Sequence, residues 1–298
     1  MRGALSIIGA GRVGRALGKS LRAQGWRIGA VVASTEANAR KAVRFIGDGK
    51  PQSSLTRIVL SSSIILISTP DDVIGEIAAE LARIGAEELR GKVVLHTSGT
   101  LDASALKPEK LFGAFVGSIH PLQTFSRVSV PPLEGRVFAV EGDPVAMRMA
   151  RQIVRALGGI PVQIEGSKKP LYHAGAVLAA GLILAVEETS TRLLMATGMK
   201  RREAIRALLP LTRQVLDNFE GLGARSAWTG PLARGDYSVI ATHIRGMKDQ
   251  PVEITEAYVA LNRLAARVLS ADPQKTLAEI EKIIVKKAGK RKATEGRA

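Results

Sequence analysis

Of the four histidines, at positions 96, 120, 173 and 243, two fall where the pattern of the chain changes. His120 ends the apolar run Phe115–Ile119 and precedes Pro121. His173 stands four residues after Lys169, next to Tyr172, and that spacing puts Lys169 and His173 on one face of a helix. Such groups hold or hand over a proton where negative charge develops. Lys169, His173 and His120 are therefore the candidate catalytic residues, with Lys168 and Tyr172 beside them, whereas His96 reads as structural. Ser98, between Thr97 and Gly99, offers a hydroxyl to a ligand, and Arg234 offers a fork for a carboxylate with Asp236 to orient it. Scattered histidines and the absence of cysteine argue against a metal site.

The elements that must position these groups begin at Leu5-Ser6-Ile7-Ile8, an apolar run that reads as a buried strand. It breaks at Gly9, Gly11 and Gly14, and Val13, Ala16, Leu17 and Leu21 then repeat with helical period. A G-x-G-x-x-G turn between strand and helix is the context of a dinucleotide site. The first glycine makes the turn, the second lets backbone approach a pyrophosphate, and the third lets helix and strand pack. Arg12 and Val13 lie at the helix N-terminus, whose free N–H groups suit phosphates.

A second strand at 27–33 is followed by Ser34 and Thr35, with Arg40 and Lys41 a turn later. No carboxylate stands at the strand end to take a ribose hydroxyl, which favours NADP, with NAD as the alternative. Further strands are expected at 62–68, 92–96, 115–119, 136–140 and 160–164. Thr69 and Pro70 line the nicotinamide end through backbone, Asp71 or Asp72 caps the next helix, and Gly47–Ser54 is a polar loop.

After Ile164 the texture turns helical. A helix from Pro170 to about Ala196 is apolar nearly all round over Ala174–Val186, so it must be buried on most sides, and in so small a domain a second subunit supplies the cover. Helices follow at about 201–220, 251–270 and 273–287. The expected organisation is α/β: a Rossmann-type doubly wound sheet over 1–165, an all-α substrate and dimerisation domain over 166–285, and a basic tail over 286–298.

The net charge of +16 raises the question of nucleic acid, but Lys282–Ala298 alone holds seven basic residues against one acidic, with no aromatic side chain to stack on bases. Nucleic-acid binding is therefore disfavoured, and the remaining positive bias suits anionic small molecules. The first strand starts almost at Met1, and the run Ala174–Val186 is too short for a bilayer and ends in Glu187-Glu188. The chain reads as soluble and cytoplasmic.

With GAGRVG at 9–14, STPDD at 68–72, HTSG at 96–99, GSIHPLQTF at 117–125, KPLYHAGAV at 169–177 and TGPLARGD at 229–236, the sequence resembles a bacterial family. Its members carry an N-terminal Rossmann-like domain and a helical C-terminal domain of unknown function, and are similar to deazaflavin-dependent NADP oxidoreductases. The layout is more distantly similar to ketopantoate reductase, pyrroline-5-carboxylate reductase and the β-hydroxyacid dehydrogenases. Several of those use a helix-borne Lys with an Asn four residues on, where this chain has His173, and Gly181 stands where a later Asn is sought. The resemblance implies NADPH-dependent hydride transfer to a small anionic 2-oxo acid such as ketopantoate. The alternatives are a cyclic imine reductase of the pyrroline-5-carboxylate type and a non-catalytic NADP-binding redox sensor. A homodimer through the helical domain is the expected assembly.

Overall fold

The structure is a computed structural model that describes residues 4–126 and 129–295. The chain divides into two compact units, 1–182 and 183–298. The stretch immediately after residue 166 thus counts with the sheet, not with the helices that follow it.

In the first unit the order is β1 (Leu5–Ile8), α1 (Arg12–Ala23), β2 (Ile28–Val32), α2 (Glu36–Ile46), β3 (Lys50–Gln52), β4 (Ile64–Ile67), α3 (Ile74–Gly85), β5 (Val93–His96), α4 (Lys107–Leu111), β6 (Phe115–Pro121), β7 (Val137–Gly142), α5 (Pro144–Ala156), β8 (Ile160–Gln163) and α6 (Lys169–Val177). The eight strands form one sheet in the order β3-β2-β1-β4-β5-β6-β7-β8. Every neighbouring pair is parallel except β6 with β7. The continuous apolar strands follow from this arrangement, because both sheet faces are covered. Side chains alternate between them: Leu5, Ile7, Ile64 and Leu66 pack on one face, and Ile8, Ile65 and Ile67 on the other. The polar stretch after Gly47, expected to be a loop, contains β3, a three-residue edge strand that its low apolar content concealed.

Register aligns the strand ends. Ile8 pairs with Ile67, Ile67 with His96, and His96 with Ser118. Gly9, Ser68 and Thr97 therefore leave the sheet at one edge, where open α/β sheets bind ligands. Asp71 and Asp72 do not cap α3, whose N-cap position is Val73 with no side-chain hydrogen bond.

From Gly166 to Met195 the chain runs as one helical stretch through α6, a π-helical turn at Leu178–Leu182, and α7 (Ile183–Met195). The chain itself leaves the stretch open: Leu171 is 76% exposed, Leu184 69%, and Leu178 and Val186 are open as well. By length and composition it also suffices to cross a membrane, since the helix extends well past the apolar run on which the shorter length was judged. Lys169, in its first turn, is nonetheless fully buried against the sheet.

The second unit contains α7, α8 (Arg201–Leu222), α9 (Ala224–Ala227), α10 (Pro231–Arg234), α11 (Tyr237–Gly246), α12 (Val252–Leu269) and α13 (Pro273–Glu295). Its core gathers Leu232, Ile240, Ile244, Met247, Ala266 and Ile280. Of the basic tail, 286–295 continue α13, and 296–298 lie outside the described residues.

Candidate active site

The three glycines of the first turn are held for different reasons. Gly9 has φ +88°, and a Cβ there would lie 2.6 Å from the carbonyl of Ser68. A Cβ on Gly14 would strike the carbonyl oxygen of Gly9, so α1 sits directly on the turn. Around Gly11 nothing lies within 4 Å. The turn is thus closed by its outer glycines and open at its middle one, and the first turn of α1 has neither a side-chain cap nor an acidic residue. That is a cradle for a phosphate group.

Beside it, a cavity of about 360 Å³ is lined by Gly9, Gly11, Arg15, Ser34, Asn38 and Lys41. The cationic and hydroxyl groups expected after β2 are present, but not all are the expected ones. Thr35 Oγ1 accepts from the Asn38 N–H as the cap of α2, and Arg40 is exposed and paired to Glu36 at 2.8 Å. Helical phase explains the exchange: Asn38 and Lys41, three apart, share the side that lines the cavity, while Arg40 turns toward Glu36 one turn back. Lys41 and Arg15 line this cavity, and Arg40 does not. Ser34 lies where the sequence put it.

A second cavity, of about 510 Å³, continues along the strand ends and is lined by Arg12, Val13, Thr69, Pro70, Gly99, His120 and His173 among others. Ser98 also lines it, but its hydroxyl is committed. It donates to Asp71 Oδ2 at 2.7 Å and accepts from the N–H groups of Thr100 and Leu101 at 3.1 and 2.9 Å. The side chain of Ser98 therefore builds the turn, and Asp71 serves that turn instead of a helix cap. Thr69 Oγ1 and His173 Nδ1 are buried polar atoms without a hydrogen-bond partner. Buried polar groups are nearly always satisfied, so both point to a ligand.

The histidines meet at Gly99. A Cβ there would strike His173 Nδ1 and lie 2.8 Å from His120 Nε2, and the two rings stand edge to face with centroids 5.5 Å apart. His120 Nδ1 lies 2.8 Å from the Tyr172 hydroxyl. Burial, then the neighbouring His173 and the charge of Lys169, push the His120 pKa down to about 4, so the ring is neutral at pH 7. Burial pushes the Tyr172 phenol up to about 12, so at pH 7 it keeps its proton and can donate to Nδ1. Nε2, beside Gly99, then carries the ring proton.

Lys169 does not join them. Its ammonium is fully buried, donates to the carbonyl of Ser98 at 2.9 Å and to Ser118 Oγ at 2.6 Å, and lies 3.6 Å from Glu141. Ser118 in turn donates to Glu141 Oε1 at 2.7 Å, because the β6–β7 register sets the two residues opposite each other. Burial lowers the Lys169 pKa to about 8 against the opposing pull of Glu141. Although Lys169 and His173 lie one turn apart on α6 as the spacing indicated, the lysine is tied into the sheet. His96 is structural, as read: Nδ1 accepts from the Ser98 N–H at 3.2 Å and Nε2 donates to the Asp102 carbonyl at 3.0 Å. Arg234 is exposed, pairs with Asp236 at 3.1 Å, and lines none of the cavities described.

A third cavity, of about 570 Å³, opens on the other side of His120 and His173 and is lined by Leu122, Tyr172, Val177, Ala179, Ala180 and Gly181 among others. Among the described residues no group of three or more metal-ligating side chains occurs.

These features define a Rossmann-type domain with a helical extension, and comparison with known proteins agrees. Residues 1–121 match the profile of the Rossmann-like domain, and residues 136–265 match a domain of unknown function, DUF2520. The chain thus carries the two modules in this order. Similar solved structures include a Bacteroides fragilis protein described as an NADP oxidoreductase (21% identity, TM-score 0.74, covering 87% of this chain and 96% of that one). Another is a reductive aminase from Aspergillus terreus in complex with NADPH and ethyl-5-oxohexanoate (17%, 0.69, 90% and 94%). A third is an imine reductase from a Pseudomonas species (15%, 0.66, 94% and 100%). No curated protein matches the chain.

Proposed function

We propose that the protein is an NADPH-dependent oxidoreductase that reduces a C=O or C=N bond. The observation that carries this reading is the continuity of the first two cavities. A phosphate cradle at Gly11 leads along the strand ends to two imidazoles whose inward nitrogens flank Gly99. The NADPH complex of the structurally similar reductive aminase supports it.

Gly9, Gly11, Arg12, Val13 and Gly14 would hold the pyrophosphate, and Ser34, Asn38, Lys41 and Arg15 the adenosine end with its 2′-phosphate. Thr69, Pro70 and Gly99 would line the nicotinamide end. NADPH, when bound, supplies the hydride that adds to the carbon of the double bond. The chain supplies the proton. As the π pair moves onto the substrate oxygen or nitrogen, His120 Nε2 delivers its proton there and Nδ1 takes one from the Tyr172 hydroxyl. A phenol is a far stronger acid than the alcohol being formed, so the relay runs downhill even with Tyr172 shifted up. The otherwise unpartnered His173 Nδ1 orients the same substrate atom. Lys169 acts as a positioning residue that fixes the Ser98–Gly99 turn.

The exposed apolar side chains of Gly166–Met195, and Leu211, Phe219 and Leu222 on α8, favour a homodimer, since large exposed apolar surfaces mark interaction sites.

The test is oxidation of NADPH with a panel of 2-oxo acids (ketopantoate first), neutral ketones and cyclic imines including pyrroline-5-carboxylate. Turnover that falls by two to four orders of magnitude in Tyr172→Phe or His120→Ala is the expected result. Silence across the panel despite tight NADPH binding would reject the enzyme and leave the redox-sensor alternative.

A further inference from the structure

We propose that the 570 Å³ cavity behind His120 and His173 receives the non-reacting part of the substrate, and that this part is a neutral hydrocarbon chain or ring instead of a carboxylate. The proposal rests on the reductase reading and names its substrate class.

The cavity shares His120, Gln123 and His173 with the cavity at the strand ends, so a molecule whose reacting atom meets the two imidazoles has its remainder within reach of the third space. Its size falls within the range of small-molecule sites. Among the described residues, no Lys, Arg, Asp or Glu contributes to its wall. A carboxylate seated there would lose its hydration with no cation of this lining to replace it, which is strongly unfavourable. His120, at its mouth, does not repair this, since burial keeps its ring neutral. Arg234, the residue best suited by type to bind a carboxylate, is held by Asp236.

The cavity owes its room to small residues. Ala179, Ala180 and Gly181 fall within the π-helical turn Leu178–Leu182, a local widening of the helix that often marks functional sites. A Cβ on Gly181 meets nothing within 4 Å. Position 181 therefore accepts a larger side chain without a clash inside the fold, and Gly181 and Ala180 emerge as the residues that set how much hydrocarbon the site admits.

The experiment is calorimetric titration of the NADP⁺-loaded protein with methyl ketones from 2-butanone to 2-octanone and with 2-oxo acids of the same lengths, beside NADPH-oxidation assays of each compound. For the ketones, the Kd is expected to tighten about three- to four-fold per methylene, with each ketone binding better than the acid of equal length. Gly181→Leu should flatten the series while leaving NADP⁺ affinity unchanged, and Ala180→Leu serves as the second variant should the first fail to fold. A flat ketone series, tighter binding of the acids, or a series that both variants leave steep would overturn the proposal. Steep ketone binding without NADPH oxidation would uphold the cavity and reject the reductase, whereas oxidation of NADPH with a flat series would do the reverse.

Discussion

At the scale of the residue, the site is a division of labour between an accessible pair and a buried strut. His120 and His173 face cavities, while Lys169 faces the sheet. Removing the ammonium would leave the Glu141 carboxylate buried with Ser118 as its one partner among the described residues. Lys169→Met should therefore destabilise the protein by about 3–5 kcal/mol, measured by urea unfolding. A loss of activity with unchanged stability would instead show the lysine acting on substrate.

His96 carries a pH signature. Burial, reinforced by the Lys169 charge, lowers its pKa from 6.5 to about 4. Between those values the unfolded chain binds the proton and the folded chain does not. The stabilising contribution of the neutral ring is complete above pH 6.5 and is lost as pH falls toward 4. It amounts to about 3 kcal/mol in full by the linkage relation. His96→Gln should shallow the fall of unfolding free energy across this window, and an identical slope in both proteins would contradict the assignment.

At the scale of the element, the glycine turn separates stability from binding. Gly14→Ala would drive a methyl into the carbonyl of Gly9, whereas Gly11→Ala adds one into open space. Thermal unfolding should fall for the first and stay near wild type for the second, while NADPH affinity drops in both. A Gly11→Ala protein that binds NADPH normally would place the phosphates elsewhere. The same contrast shows what the sequence could reveal. Strand, glycine spacing and helix lie within Ala4–Leu21, so the geometry of this turn was legible from local pattern alone. Lys41 was legible in part, since counting helical phase from Asn38 separates it from Arg40. Glu141 and Ser118 were not, because only the antiparallel register of β6 and β7 brings them to Lys169. Tyr172 stood in view beside His173 but acquires its role only through a partner 52 residues away in sequence.

At the scale of the whole molecule, the stretch Gly166–Met195 was legible as a helix that needs cover, and the chain itself leaves its apolar side chains open. Apolar content states that a surface must be covered and leaves open what covers it. The homodimer we propose should appear in sedimentation at twice the 31.6 kDa chain mass. Leu184→Glu, on the exposed face, should shift it toward monomer. A wild-type monomer at micromolar concentration would contradict that assembly.

The central claim is that the turn at Gly11 and the cationic groups beside it hold NADP. The most direct measurement is equilibrium titration of the wild-type and Lys41→Ala proteins with NADPH and NADH, followed by nicotinamide fluorescence. Wild type is expected to favour NADPH at least tenfold, and Lys41→Ala to lose most of that preference while its NADH affinity stays within about twofold, because a missing cation of this kind removes roughly 1.5–3 kcal/mol of charge-assisted hydrogen bonding. Equal affinities for the two nucleotides in wild type, or no binding of either, would contradict it.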